Sequence, residues 1–209
     1  MSGPNRRAIQ KEETRRAVLD AAREEFERVG FESANLRSIA ARAGVSAGTV
    51  LHYYGDKREL LHAALFDDLD ATWRAALGNL GSGPLENQLS RLTAAVFGYY
   101  QARPKLSRTL LKESLFADEP WASKFAAQIA SVTVEITRLA ARAIERGELR
   151  EDCNTALLAA AWVSFFHFGQ ISWAQGAYPT PVSLIDHLVR QHLQGLRPVE
   201  KQPSTRRAR

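Results

Sequence analysis

The stretch Asn35–Lys57, NLRSIAARAGVSAGTVLHYYGDK, constrains the fold more than any other part of the chain. Leu36, Ile39, Ala40 and Ala43 fall at i, i+3, i+4 and i+7, the apolar stripe of a short helix. Gly44 follows where the chain must reverse, and glycine tolerates the left-handed backbone that such an ending often needs. Ser46 offers an N-cap hydroxyl to a second helix. In that helix Val50 and Tyr54, four apart, are predicted to face inward. Ala47, Gly48, Leu51 and His52 are left on the outward face. Two short helices about a tight turn at Ala43-Gly44-Val45 are the signature of a helix-turn-helix, whose second helix enters a DNA major groove.

Upstream, Val18, Leu19, Ala22, Phe26 and Val29 repeat at three- and four-residue steps, predicting a helix from about Glu12 to Val29, ended by Gly30. Residues 1–11 show no such periodicity and read as a flexible basic arm. Asn35 is a good N-cap. Asp56, followed three positions later by Glu59, predicts a reciprocal capping box. The helix starting there keeps one apolar face through Leu61, Leu65, Leu69 and Trp73 to Gly78. GNLGSGP, residues 78–84, reads as a linker. Beyond it helices are predicted near 85–102, 105–117, 120–146, 154–175 and 181–196, broken at Pro104, Pro120, Gly147, Pro179 and Pro181. No alternating run argues for a sheet. The expected fold is all-α, about nine helices, with a small three-helix N-terminal unit and a larger C-terminal one.

Charge is informative through its distribution. The net charge is +5, and residues 197–209 alone hold five Lys/Arg against one acid, so a disordered basic tail is expected there. Basic ends suit contact with a polyanion. Cys153 is the only cysteine, which excludes an intrachain disulfide or a cysteine-based zinc site. No histidine pair has metal-ligand spacing, and the carboxylates beside Cys153 disfavour a thiolate nucleophile, so neither a metal, a cofactor nor catalysis is expected. The apolar run Ala156–Val163 is far short of the ~20 residues of a membrane span, and the polar N-terminus is not that of a signal peptide; a cytoplasmic chain with no membrane partner is expected.

The run VLDAAREEFERVGFESANLRSIAARAGVSAGTVLHYYGDKRELL resembles the DNA-binding region of the TetR family of bacterial transcriptional regulators. The resemblance covers about a quarter of the chain. It implies a DNA-binding domain over 12–57 and a helical effector-binding and dimerisation domain over 58–196. It implies that Arg37 reaches the major groove to read a guanine, as its forked donors allow. It also implies that Ser46, Thr49 and Tyr53 lie at phosphates or flank the bases, and that Lys57 meets a phosphate at the start of the next helix. Ala47 and Leu51 stand where many members carry polar groups. Direct readout is therefore expected to rest on Arg37 and His52, with Ala47 and Leu51 against thymine methyls.

Aromatic residues concentrate beyond the linker, in the C-terminal domain. Phe97, Tyr100, Phe116, Trp121, Phe125, Trp162, Phe165, Phe166 and His167 are candidates for an effector site, and the composition favours a small apolar or aromatic effector. The segment AAAWVSFFHFGQISW is apolar on nearly all sides, which points to a second subunit. In the family the last two helices build a four-helix bundle across a two-fold axis, implying a homodimer through 154–175 and 181–196 on a near-palindromic operator. Together these imply a transcriptional regulator, a repressor by family majority, released by its effector. The alternative is a helical protein-interaction module with a vestigial helix-turn-helix.

Overall fold

The spaced leucines and alanines of the sequence become nine α-helices among residues 6–198, which are those described by the computed structural model. They are α1 (Arg6–Val29), α2 (Leu36–Arg42), α3 (Ala47–Tyr54), α4 (Lys57–Gly78), α5 (Leu85–Ala102), α6 (Pro104–Ser114), α7 (Trp121–Glu145), α8 (Thr155–Ala174) and α9 (Pro181–Gln194). No strand occurs among the described residues. Two expectations are corrected at the ends. Residues 6–11 are not a loose arm but the first turns of α1, and Arg197, placed in the expected tail, pairs with Glu86 at 3.5 Å. Residues 1–5 and 199–209 lie outside the described residues.

The chain forms two compact units whose boundary is not at 57/58. The first unit joins everything up to Gly78 with Ala95–Ile129; the second joins Asn79–Ala94 with residues from Ala130 onward. The reason is packing: α1 touches α4 and α6 as well as α2, so the three-helix head does not enclose its own core.

In the first unit Val18, Ala22 and Phe26 present one fully buried face of α1, joined by Ile39, Val50, Leu61 and Leu65. Each of these side chains other than Ala22 contributes about 1.5–3 kcal/mol by leaving water. Charged ties then fix α4 on α1. The Arg23 guanidinium, almost fully buried, donates to the Ala64 carbonyl at 2.6 Å and pairs with Asp20 at 2.6 Å and Asp68 at 2.8 Å. Arg15 reaches Asp67 at 2.9 Å. The start of α6 is pinned to the end of α1: the Leu106 amide donates to Glu27 Oε2 at 2.9 Å, and Lys105 Nζ to the Arg28 carbonyl at 3.2 Å.

In the second unit Leu89, Leu92, Ile136, Trp162 and Ile185 are buried, and α8 packs along α9. The predicted linker is tied down. Gln88 donates to the Gly81 carbonyl at 2.7 Å, Arg91 donates to the Ser82 carbonyl at 3.2 Å, and Leu80 is buried. The helix α7 ends in a double turn, with Gly147 N–H on the Ile144 carbonyl and Glu148 N–H on that of Ala143; Gly147 takes φ 72° there. That ending delivers Glu148 to the Leu85 amide at 2.7 Å, capping α5. Burial works against its ionised form, but hydrogen bonds from Arg146 and Leu85 outweigh this and hold its carboxyl below the usual range. By length and apolarity alone α8, with mean hydropathy 1.2, could cross a bilayer. A core helix passes the same test, and Ser164, His167 and Gln170 interrupt its middle.

Candidate nucleic-acid interface

The turn between α2 and α3 shows why the sequence folds as it does locally. Gly44 N–H bonds the Ala41 carbonyl at 3.2 Å and Val45 N–H that of Ala40 at 3.0 Å, the paired bonds of a Schellman ending, with Gly44 at φ 70°. Asn35 Oδ1 accepts from Ser38 N–H at 2.9 Å to start α2. Ser46 Oγ accepts from Thr49 N–H at 3.0 Å to start α3, and a 2.9 Å bond joins the Ser46 and Thr49 hydroxyls.

Val50 is fully buried and anchors α3, while Gly48, Leu51 and His52 are exposed and Ala47 is half-buried. The outward face is therefore where the 3.6-residue period put it. The Tyr53 ring is half-buried, edge-on to His52 at 5.9 Å. Tyr54 turns inward, and burial pushes its hydroxyl up to about 12 against the pull of the neighbouring Arg15. Its oxygen has no hydrogen bond of ordinary geometry.

Gly48 has a particular position. A Cβ added there would meet only Ser46 Oγ, at an ordinary 3.7 Å, and the backbone is not left-handed. Nothing inside the chain requires a glycine, yet glycine within a helix costs about 0.5–1 kcal/mol relative to alanine. Without a side chain at Gly48 the backbone of α3 is left open on its exposed side. The two arginines of α2 also separate. Arg42 pairs with Glu24 at 3.1 Å and Glu25 at 3.7 Å. Arg37 is exposed and no described residue pairs with it.

Lys57 departs from expectation. Its ammonium donates to the carbonyls of Phe31 (2.8 Å), Ala34 (3.1 Å) and Glu32 (3.2 Å) and lies 4.6 Å from the Phe31 ring centroid. An ammonium has three N–H bonds, and all three are committed to the loop between α1 and α2. Without nucleic acid, Lys57 clamps that loop. The capping box is also half formed: Asp56 Oδ1 accepts from Glu59 N–H at 2.8 Å, but the Glu59 carboxylate turns away to accept from Trp121 Nε1 at 2.9 Å.

The aromatic candidates fall in both units. Phe97 and Tyr100 are buried with ring centroids 5.9 Å apart, and Trp121 and Phe125 are buried at 6.3 Å. Trp162 stacks on Phe166 at 5.2 Å, Phe165 meets His192 at 5.8 Å, and burial holds the His167 imidazole below its ordinary value. Phe116, by contrast, is 88% exposed in the turn after α6 and stands apart from these buried rings. Sequence reading missed His62. It lies inside α4, 2% exposed, between the apolar positions Leu61 and Leu65, and its only signal was a polar residue within that stripe.

The description "Bacterial regulatory proteins, tetR family" belongs to the sequence family that matches residues 18–64. The repressor KstR of Rhodococcus jostii (strain RHA1) is 30% identical over 157 residues, 73% of this chain and 70% of its own length. The regulator BetI of Escherichia coli is 38% identical over 86 residues, 41% of this chain and 44% of BetI. Among solved structures, a TetR transcription regulator from Haloarcula marismortui superposes with TM-score 0.74 at 15% identity, covering 88% of this chain and 98% of that one. FadR from Bacillus subtilis, solved in complex with stearoyl-CoA, gives TM-score 0.71 at 16% identity, covering 87% and 98%. With the exposed α3 face, the Schellman turn and these relatives together, the chain belongs to the TetR family of bacterial regulatory proteins and is a DNA-binding transcriptional regulator.

Proposed function

We propose that this regulator is a cytoplasmic homodimeric repressor that holds a near-palindromic operator and leaves it when a small apolar or aromatic effector binds. One observation carries the DNA half: α3 turns Ala47, Gly48, Leu51 and His52 outward without an acidic side chain, beside Arg37, with which no described residue pairs. Arg37 reads a guanine through two donors, and His52 contacts a second base edge. Ala47 and Leu51 pack on thymine methyls. Thr49, Tyr53 and the Ser46 end of α3 flank the phosphates, with backbone N–H groups at the start of α4. Lys57 holds the frame.

Dimerisation is supported by a stripe on α8. Leu157 (68% exposed), Phe168 (50%) and Ile171 lie on one side, separated by eleven and three residues, and burying them against a second copy removes that apolar surface from water. KstR, a repressor by name, supports repression, and the stearoyl-CoA held by the B. subtilis FadR adds long acyl chains to the effector panel. The test is a gel shift on the DNA upstream of the gene at rising salt, with and without the panel. Binding that falls steeply with salt and is lost with an effector supports the proposal. No shift at low salt rejects it and leaves the interaction-module alternative.

A further inference from the structure

A carboxylate taken out of water is stable only where opposite charge and hydrogen bonds meet it. Glu25 is such a group. It lies on α1 beside Phe26 and is 2% exposed. Two arginines meet it. Arg28, less than one turn on, donates from Nη2 to both carboxylate oxygens at 2.9 Å and 2.8 Å and from Nε to Oε2 at 3.2 Å. Arg42, in the last turn of α2, brings Nη2 to 3.7 Å from Glu25 and Nη1 to 3.1 Å from Glu24. Arg28 belongs to the same helix as Glu25, so its bonds set the direction of the carboxylate without joining two elements. Arg42 belongs to α2 and ties that helix to α1. The Glu24 side chain is 65% exposed, and an ion pair in water holds weakly. The buried charge of Glu25 is screened far less.

The size of α2 shows why the tie matters. It has seven residues and buries only Ile39 and Ala40. Two successive apolar residues resist separation from α1 better than they resist rotation of α2 about its own axis. Arg37 and Arg42 are five residues apart and so stand about 140° apart round that axis. Any rotation that moves one moves the other. A turn of about 10° carries a group about 6 Å from the axis through about 1 Å. That takes a hydrogen bond out of its range of roughly 2.7–3.2 Å, and reading a guanine needs two such bonds at once.

We infer that Glu25, acting through Arg42, is a positioning residue for DNA readout, holding α2 at the rotation that lets Arg37 meet a base edge with both donors. The inference rests on Arg37 reading a base, as proposed above.

The probes are the duplex upstream of the gene that the full-length protein shifts and its single-base variants, with Kd measured by fluorescence anisotropy between 50 and 300 mM salt. Arg37→Ala identifies the base pair that Arg37 reads. Changing that pair is expected to weaken wild-type binding by a factor of about 5–150. Glu25→Gln, which keeps the volume and removes the charge, should lower that factor about three-fold or more. It should leave the factors at other base pairs and the salt slope as they are, and in the Arg37→Ala background it should change nothing further at the identified pair. Arg42→Met, on the exposed end of the same tie, should repeat the result, and the two substitutions together should do no more than either alone. Arg42→Met also decides the matter if Glu25→Gln does not fold. Weakening by one common factor at every base pair would make the tie purely structural and overturn the inference. So would a salt slope reduced by about 1.8 in Arg42→Met, which assigns Arg42 to phosphate. If Arg37→Ala relaxes no base pair, the readout proposal falls and the inference with it. If it relaxes one whose factor survives both Glu25→Gln and Arg42→Met, the inference alone falls.

Discussion

Replacing Lys57 by methionine separates a clamp from a phosphate contact. The ammonium makes three bonds of 2.8–3.2 Å to main-chain carbonyls. A hydrogen bond to a charged group is worth about 1.5–3 kcal/mol, but these three share one charge, and the exposed Glu32 carbonyl can turn to water once freed. The half-buried Phe31 side of the loop cannot do so as readily, and methionine keeps the stem against the Phe31 ring. A net loss of about 2–3 kcal/mol follows, or about 4–12 °C in melting temperature for a chain of this size. Operator affinity should fall because the loop that sets α2 against α4 loosens, and it should fall by the same factor at every salt concentration. If Lys57 instead met a phosphate, each dimer would lose two contacts, and the slope of log K against log salt would drop by about 1.8. Binding isotherms between 50 and 300 mM salt read that slope directly. A slope reduced by about 1.8 with an unchanged melting temperature would refute the clamp.

Other substitutions address the reading face and the core. Gly48→Ala should raise stability by up to about 1 kcal/mol in thermal melts, because the new Cβ finds space and helix propensity improves, while operator affinity falls; unchanged operator binding would remove the case for a close approach at α3. Arg37→Ala should cost about 1–3 kcal/mol on the operator and relax preference at one base pair, read by binding to a set of single-base operator variants, whereas uniform weakening on all of them would assign Arg37 to phosphate. His62 and His167 are both held below their ordinary value by burial, so the unfolded chain binds their protons first; stability should be full above about pH 7 and fall as pH drops through about 6.5. Denaturant melts from pH 7.5 to 5.5 measure this, and His62→Leu should flatten the curve. Asp68, raised by burial against the pull of Arg23, acts in the opposite sense at lower pH, which sets the lower end of that window.

Periodicity carried the fold: the nine helices lie within a few residues of where the apolar stripes and the Gly and Pro breaks put them, apart from the longer start of α1. Caps carried the local geometry at Asn35, Ser46 and Asp56, because a cap is a contact between neighbours in sequence. What the sequence hid was of longer range. Nothing in the spacing of Lys57 distinguishes an ammonium that bends back to residues 31–34 from one that points to solvent. Glu59 fits a capping box as a string, but Trp121, 62 residues away, offers its indole N–H. The unit boundary was illegible for the same reason: it depends on Leu106 meeting Glu27 and Lys105 meeting Arg28 across 77–79 residues of chain. Phe116 shows the converse error, since composition counts an aromatic without saying which way it faces.

These long-range ties decide how the first unit can respond to a ligand. Three of them hold α4 to the head: Arg23 to Ala64 and Asp68, Arg15 to Asp67, and Lys57 to the loop after α1. Arg23 is almost fully buried, and breaking a buried charged pair by removing one partner costs about 3–5 kcal/mol; the exposed Arg15 pair adds little, and Lys57 adds the 2–3 kcal/mol argued above. Coupling energies between an effector and a distant site are typically about 1–3 kcal/mol. An effector cannot supply enough to part α4 from α1, so α1–α4 must move as one body or not at all. Beside the ring contacts of His62 and Phe66 with Trp121 and Phe125, the polar grips from α6 and α7 are the weaker ones: the Arg58–Glu113 pair, whose Arg side chain is mostly exposed, and the single Glu59–Trp121 bond. Each is worth on the order of 1 kcal/mol, within reach of a ligand. A motion of α4 with its whole head against α6 and α7 is therefore the response these magnitudes allow, and Trp121→Phe, which keeps the ring and deletes only the bond to Glu59, should shift effector-free operator affinity by a factor of about three to ten without changing the salt slope. An unchanged affinity would show that the Glu59–Trp121 bond does not bias the position of the head.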